Sequence, residues 1–248
     1  MNSCIVMIPF DSDSNNSNAG TPNTPSSNRG AEDIRNTLLH YEGMVEESSQ
    51  EQAASLYRAL YHQLLQVIPP AMPNYDPRIL DAGCGTGEWL EAFTRLGLNG
   101  EGIDASKAAV EAATAKGLHV ECRDLRLLNL KKEFFDAVWC VRTLSHFQLE
   151  EIQRIFGSFF QALRPRTGIL VCDFLEGEGV RFEDRSLITR YHGPQAGTDL
   201  PPRIWHGFRE EAFLALARQS GFAPTHRAEK PRDPASGLKS VLLFMKRV

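Results

Sequence analysis

The feature that most constrains the fold of this chain is an alternation of short apolar runs with amphipathic stretches, which begins after Pro77. Five runs have the length of strands: Arg78–Asp81, Gly100–Ile103, His119–Cys122, Ala137–Val141 and Gly168–Asp173. Helical patterns lie between them at Glu88–Leu96, Lys107–Lys116 and Gln148–Leu163. Strands separated by helices of this length predict right-handed β-α-β units and a parallel sheet.

The C-terminal part of the chain has a different sequence pattern. A polar stretch from Glu176 to Gly207 is followed by a helical pattern at Arg209–Ser220. Two further strand candidates, Ala223–Ala228 and Ser240–Met245, are joined by a short link that suits a hairpin and an antiparallel sheet edge. We therefore predict an α/β fold with a seven-stranded, mostly parallel sheet, an antiparallel C-terminal strand and helices on both faces.

The N-terminal residues are expected to lie outside this fold. Ser, Asn, Thr and Pro dominate from Asp11 to Asn28, and such a stretch buries too little apolar surface to offset its ordering entropy. We predict a disordered tail over residues 1–30, or alternatively a partner-binding segment. Two helices, at 31–47 and at about 53–68, would form a helical cap (31–70) on a single domain that spans residues 31–248.

Composition excludes several classes of function. The formal net charge is −4 without a long basic run, so the chain lacks the electrostatic footprint of a dedicated nucleic-acid binder. The cysteines contain no CxxC pair and four of the five fall in or beside apolar runs, which predicts reduced thiols, no metal site and a cytoplasmic location. The apolar run at residues 4–8 is too short to span a membrane.

A glycine-rich loop, Asp81-Ala82-Gly83-Cys84-Gly85-Thr86-Gly87, follows the first strand of the alternation. Ligands of open α/β sheets bind at the carboxyl ends of the strands, and glycines there allow a sharp turn and close approach to the backbone. Asp81 can accept hydrogen bonds from loop amides or from a ligand ammonium. Glu88 stands where a dinucleotide fingerprint has its last glycine, and the loop has no P-loop lysine, so neither a dinucleotide nor a nucleoside triphosphate is favoured.

Three further sites follow the ends of later strands. Asp104, with Ala105 after it, lies where a carboxylate can hold both hydroxyls of a ribose. Asp124 is suited to the amino group of an adenine, with the Leu125 amide beside it. The backbone of Cys140, Val141 and Arg142 would face the amino-acid end of the ligand. Either aspartate alone could equally be a helix cap or a turn residue.

These segments resemble the successive motifs of class I S-adenosylmethionine-dependent methyltransferases, in order and spacing, from Tyr41 to Phe222: DAGCGTGEW, EGIDAS, ECRDL, FFDAVWCVRTLSHF and LRPRTGILVCDF. The small-molecule branch related to tellurite-resistance-type methyltransferases is the most similar. The resemblance implies a Rossmann-like methyltransferase fold with S-adenosyl-L-methionine as cofactor. It also implies that the glycine loop holds the methionyl moiety and that Tyr41 closes over the cofactor.

The sequence departs from the family in two places. A Pro165-Arg166-Thr167-Gly168 turn stands where a Pro-Gly-Gly turn is usual, and the segment from Arg181 to Arg203 is unusually long and rich in proline. We predict that residues 176–207 form an acceptor-side insertion, whose arginines suit an acidic acceptor, although an ordinary solvated loop is the alternative.

Methyl transfer is a direct displacement, so alignment is the main task of the enzyme. A general base helps when the acceptor is a hydroxyl or a protonated amine. His146 follows the fourth strand and is the best candidate base, with a role in shaping the cofactor pocket as the alternative; His192 and His206 are weaker candidates. The histidines lack metal-ligand spacing.

The predicted function is methyl transfer to a small-molecule acceptor. Methylation of a protein or RNA, or a catalytically inactive S-adenosylmethionine-binding module, are the alternatives.

Overall fold

A computed structural model describes residues 64, 66, 68, 74–95, 97–177, 204–229 and 239–248, together with the backbone of residues 8–9, 181–184 and 203. The predicted N-terminal helices lie outside these ranges, except that Leu64 and Gln66 are helical and Leu64 is buried. Among the helices so described, none combines the length and the apolar character that crossing a bilayer requires.

The alternation predicted from the sequence is confirmed. The strands are β1 (Ile8–Pro9), β2 (Arg78–Ala82), β3 (Asn99–Asp104), β4 (Val120–Cys122), β5 (Ala137–Cys140), β6 (Ile169–Glu176), β7 (Arg181–Asp184), β8 (Arg203–Phe208), β9 (Phe222–Glu229) and β10 (Lys239–Arg247). The helices are α1 (Glu88–Arg95), α2 (Lys107–Ala115), α3 (Leu149–Ala162) and α4 (Glu210–Gln219).

The sheet has the order β1-β9-β10-β6-β5-β2-β3-β4. The five neighbouring strands β6, β5, β2, β3 and β4 are parallel. Along the chain, β2, β3 and β4 follow one another toward one side of the sheet, and β5 and β6 follow one another toward the other side. The strand order therefore reverses between β2 and β5, where the carboxyl ends of the strands form a crevice. Apolar clusters cover both faces of the sheet, one around Phe156 and Phe213 and the other around Trp139 and Phe93.

The predicted antiparallel C-terminal strand is confirmed. β10 pairs antiparallel with both β6 and β9 and lies between them. β10 reads Val-Leu-Leu-Phe-Met through its middle, and burying this run on both faces favours the inner position. In the predicted tail, Ile8–Pro9 pair antiparallel with β9, and the rest of the tail lies outside the described residues.

The polar stretch between β6 and α4 contains two strands that the sequence analysis missed. β7 and β8 form an antiparallel pair, and the end of β8 runs parallel to the end of β6, with Leu175 opposite Gly207. β8 reads Arg-Ile-Trp-His-Gly-Phe, which has no strict alternation of apolar and polar residues, so the sequence carries no clear period-two signal there. Strand pairing therefore attaches part of this segment to the carboxyl end of the sheet.

The turn that departs from the usual Pro-Gly-Gly has an arginine in the left-handed region. Arg166 adopts the left-handed conformation, with a φ of 63°, in place of a glycine. The Gly168 amide then donates to the Arg164 carbonyl at 2.9 Å, and the chain enters β6.

The amino end of β5 is anchored by a buried carboxylate. Asp136 is fully buried and accepts hydrogen bonds from the Tyr75 hydroxyl and, at 2.9 Å, from the Arg78 amide. The Arg164 guanidinium lies 3.1 Å from the same carboxylate. Burial, together with the hydrogen bond to Asp136 and its charge, raises the pKa of Tyr75 to about 12. This cluster lies at the amino ends of the strands, on the side of the sheet opposite the crevice. We therefore expect it to have a structural role.

Candidate active site

The glycine loop follows β2 at the crevice and is hydrogen-bonded to the end of β3 through the Ile103 carbonyl. Gly83, Gly85 and Gly87 all have positive φ angles, of 82°, 53° and 85°. A Cβ atom on Gly83 would lie 2.3 Å from Thr143 Oγ1, and one on Gly87 would lie 2.2 Å from Leu118 Cδ1. A Cβ on Gly85 would meet no atom within 4 Å. Packing therefore requires two of the glycines, whereas the third borders open space that a ligand can fill.

Asp104 ties this loop to the end of β3. Its Oδ2 accepts a hydrogen bond from the Gly85 amide at 2.8 Å, and its Oδ1 accepts one from the Ser106 amide at 2.8 Å. Ser106 in turn caps α2 by accepting from the Ala109 amide, and the Ala105 carbonyl accepts from the Cys122 thiol at 3.7 Å. The predicted ribose carboxylate thus has a fixed orientation beside the loop.

Asp81 is buried below the loop, and its Oδ2 atom has no hydrogen-bond partner among the described residues. Burial, with an addition from the charge of Asp104, raises the pKa of Asp81 well above its usual range. A buried acceptor without a donor is costly, and a cationic ligand group placed above it would relieve that cost. This fits the ammonium-bearing end of S-adenosylmethionine.

Cys84 contributes to the loop through its backbone. Its amide donates to the Ile103 carbonyl at 3.1 Å, and its buried thiol lies next to Gly102. Burial raises the pKa of the Cys84 thiol above its usual range, so the side chain is neutral and acts by packing.

Asp124 follows β4, as predicted for an adenine-facing acid, but its carboxylate is paired with Arg126. The guanidinium Nη2 lies 2.6 Å from Asp124 Oδ2, and Nε lies 3.0 Å from both carboxylate oxygens. Burial alone would raise the pKa of Asp124, but the hydrogen bonds and charge of Arg126 outweigh it and lower that pKa. Leu125 is buried beside it. The sequence analysis missed this arginine.

The end of β5 turns sharply. Cys140 and Val141 are buried, and the contact of their backbone with a ligand stays a prediction. Arg142 adopts a left-handed conformation with a φ of 63°, and its amide donates to Asp173 Oδ1 at 2.6 Å. Ser240 donates to the other oxygen of Asp173 at 3.3 Å. Asp173 therefore anchors the turn, a role that sequence spacing did not reveal.

His146 lies in a short 3-10 turn, Leu144–His146, and is buried. Its Nδ1 is 2.8 Å from the carbonyl oxygen of Ile204, and its ring centroid is 4.4 Å from that of Trp205. A carbonyl only accepts, so we assign the hydrogen to Nδ1, which leaves the lone pair of the neutral ring on Nε2. β8 thus brings Ile204 and Trp205 from the predicted acceptor segment to His146.

Three predicted site residues remain. Tyr41 and His192 lie outside the described residues. His206 is a buried residue of β8. Within the described ranges, no group of three His, Cys, Asp or Glu side chains comes together in a way that could hold a metal ion.

A family model described as a methyltransferase domain matches residues 49–227. Among curated proteins, the chain is 40% identical over 76 residues to a ubiquinone biosynthesis O-methyltransferase of Alkalilimnicola ehrlichii, covering 28% of this chain and 31% of that protein. It is 23% identical over 137 residues to an O-methyltransferase of Pyrenophora dematioidea, covering 52% and 50%. The matched region therefore spans about half the length of these relatives or less.

Solved structures share the fold. A Burkholderia thailandensis 1,6-didemethyltoxoflavin-N1-methyltransferase with bound S-adenosylhomocysteine superposes with a TM-score of 0.66 at 18% identity, covering 97% of this chain and 99% of that one. A Synechocystis magnesium protoporphyrin IX methyltransferase with bound S-adenosylmethionine gives 0.54 at 16% identity, covering 91% and 87%. The [4+2]-cyclase SpnF gives 0.59 at 18% identity, covering 93% and 99%, so this fold also carries other chemistry.

The predicted likeness to the tellurite-resistance-type branch stays a prediction, because these relatives do not identify a branch. The family model, however, covers more than half of the chain, including the glycine loop, both acidic residues that follow it and the turn of His146. The chain therefore belongs to the methyltransferase domain family.

Proposed function

We propose that this protein transfers a methyl group from S-adenosylmethionine to a hydroxyl group of a small molecule. The observation that carries the proposal is the hydrogen bond between His146 Nδ1 and the Ile204 carbonyl, which fixes the imidazole in the turn that follows β5. Curated relatives named O-methyltransferases support the choice of a hydroxyl.

Residues around the crevice would hold the cofactor, which supplies the electrophilic methyl group when bound. Asp81 would face its ammonium, Asp104 its ribose hydroxyls and Asp124 its adenine amino group. The remaining contacts would come from the backbone of Gly83, Cys84, Gly85, Gly87, Ala105, Leu125, Cys140, Val141 and Arg142, and from Tyr41. The positive φ angles and the anchored turn at Arg142 support backbone contacts there.

His146 would accept the hydroxyl proton on Nε2 as the acceptor oxygen attacks. The Ile204 carbonyl, which already accepts from Nδ1, would stabilise the resulting imidazolium. Such a base contributes about 10²–10⁴-fold, whereas alignment of the reactants contributes about 7–11 kcal/mol. The ring of Trp205 packs against the imidazole at 4.4 Å between centroids and is tilted by 37°.

Residues 176–207 would cover the acceptor, and the attachment of β8 to β6 supports this placement. We further propose an acidic acceptor, because this segment carries several arginines, and a cytoplasmic location, because all four described cysteines are free thiols. A screen in which only neutral acceptors are methylated would contradict the first of these.

The test is to incubate the protein with isotope-labelled S-adenosylmethionine and the small-molecule fraction of a cell extract. We expect S-adenosylhomocysteine to accumulate and the label to appear as O-methyl groups in small molecules. Accumulation only with the macromolecular fraction would favour a protein or RNA methyltransferase, and none in either fraction would favour a binding module.

The role of His146 is tested with His146→Ala in the same assay. Turnover should fall by about 10²-fold or more, while the affinity for S-adenosylhomocysteine stays within about threefold. His226→Ala is the control, because His226 lies on β9 beside Phe244, away from the crevice. A loss of affinity above tenfold in His146→Ala would make His146 a pocket residue and not the base.

A further inference from the structure

Arg126 is attached to Asp124 at three points. Its backbone amide donates to Oδ1 at 2.8 Å, its Nε is shared between the two carboxylate oxygens at 3.0 Å, and its Nη2 donates to Oδ2 at 2.6 Å. A fork of this kind fixes the plane of a carboxylate, which otherwise rotates over a broad range about χ2.

The arginine is itself held from its other side. Its Nη1 lies 3.4 Å from Glu151 Oε1, and Glu151 is buried at the start of α3. The other oxygen of Glu151 accepts from the Gln148 amide at 2.9 Å, within the capping box of that helix. The position of Arg126 is therefore set by two separate elements of the fold.

Three donors of Arg126 make four contacts with Asp124, because Nε is shared between the two oxygens. The Asp124 side chain is still 23% exposed, so a ligand group can approach the carboxylate. An amino group there would donate to a carboxylate oxygen, whereas a carbonyl would meet a negatively charged oxygen.

We propose that Arg126 is a positioning residue that makes the site selective for a 6-aminopurine over a 6-oxopurine, by holding the Asp124 carboxylate ionised and in one orientation. The inference rests on the proposed contact between Asp124 and adenine. Loss of the fork frees the carboxylate to rotate, and loss of the charge allows it to take up a proton and donate to a carbonyl. Both changes reduce the selectivity.

The test compares two ligands that differ only at the purine 6-position, S-adenosylhomocysteine and S-inosylhomocysteine, by isothermal titration. We expect the wild type to prefer the adenosyl ligand by about 10- to 100-fold, the range expected when a polar group is left without its partner. Arg126→Gln should reduce this ratio to below about threefold, chiefly by weakening the binding of the adenosyl ligand.

Three other variants separate orientation from charge and from stability. Arg126→Lys keeps the charge but lacks the fork, so selectivity should stay low. Glu151→Gln keeps both Asp124 and Arg126 but weakens the contact that holds Arg126 in position. This variant should reduce the preference for the adenosyl ligand at least about threefold, even if the Arg126 variants fail to fold. Arg123→Gln is the matched control, because this arginine pairs with Glu121 at the surface and should leave the ratio unchanged.

The outcomes separate the two proposals. A wild type that binds neither ligand would refute the proposed function itself. A wild type that binds both equally, an equal loss of both ligands in Arg126→Gln, or full selectivity in Arg126→Lys would overturn the role of Arg126 and leave methyl transfer intact.

Discussion

Gly83→Ala tests whether the glycine loop is shaped by packing against the turn that follows β5. The new Cβ would lie 2.3 Å from Thr143 Oγ1, 2.5 Å from its Cγ2 and 2.9 Å from its Cβ. The backbone of Gly83 also has a φ of 82°, which is unfavourable for alanine. Gly85→Ala is the matched control, because Gly85 also has a positive φ but would meet no atom within 4 Å.

The expected changes in the free energy of unfolding of the two variants differ by one contribution, the overpacking at Gly83. A left-handed backbone costs an L-residue about 1–2 kcal/mol, and this applies to both positions. Overpacking adds about 1–3 kcal/mol at Gly83 alone. We therefore expect Gly83→Ala to lower the free energy of unfolding by about 2–5 kcal/mol and Gly85→Ala by about 1–2 kcal/mol.

The free energies of unfolding can be measured by urea denaturation, with the midpoint and the slope compared among variants. The double variant Gly83→Ala/Thr143→Ala removes Oγ1 and Cγ2 and should recover about 1–2 kcal/mol relative to the sum of the single variants. Gly85→Ala should instead weaken the binding of S-adenosylhomocysteine, since its methyl group enters the open side of the loop. Equal destabilisation by Gly83→Ala and Gly85→Ala, or no recovery in the double variant, would refute the packing argument.

Three further predictions concern the anchoring carboxylates and the tyrosine. Asp104→Ala should weaken the binding of S-adenosylhomocysteine more than about tenfold in isothermal titration; a change below threefold would exclude a ribose contact. Tyr75→Phe should lower stability by about 1–2 kcal/mol at neutral pH. Because the folded-state pKa of Tyr75 is raised to about 12, its contribution is present below pH 10 and is lost as the pH rises to 12, so alkaline unfolding curves of Tyr75→Phe should lack that decline. Asp173→Ala should destabilise by about 1–3 kcal/mol in urea because it removes the acceptor of the Arg142 amide, whereas Asp173→Asn should cost much less.

The order of strands and helices was predictable from the sequence, because burial imposes a period of two on strands and 3.6 on helices. The glycine loop and Asp104 were predictable for a related reason: a ligand site in a parallel sheet must follow the ends of strands. The bounds of α1, α2 and α3 were accurate to within about one residue, since each combines a clear apolar face with a recognisable end.

Tertiary structure decided what depends on partners distant in the chain. The internal place of β10 follows from pairing with both β6 and β9, and β8 forms a strand in a polar segment because β6 and β7 offer it hydrogen bonds. No local pattern marks such pairings.

The same holds for the site. The sequence by itself identified which residues follow the strands, and so placed Asp124 and His146 at the crevice. Only the fold showed that Arg126 is hydrogen-bonded to the first and to Glu151, and that the Ile204 carbonyl lies 2.8 Å from Nδ1 of the second. The physical reason is that hydrogen bonds of buried polar groups are satisfied wherever the folded chain brings a partner, and that position is set by packing and not by spacing.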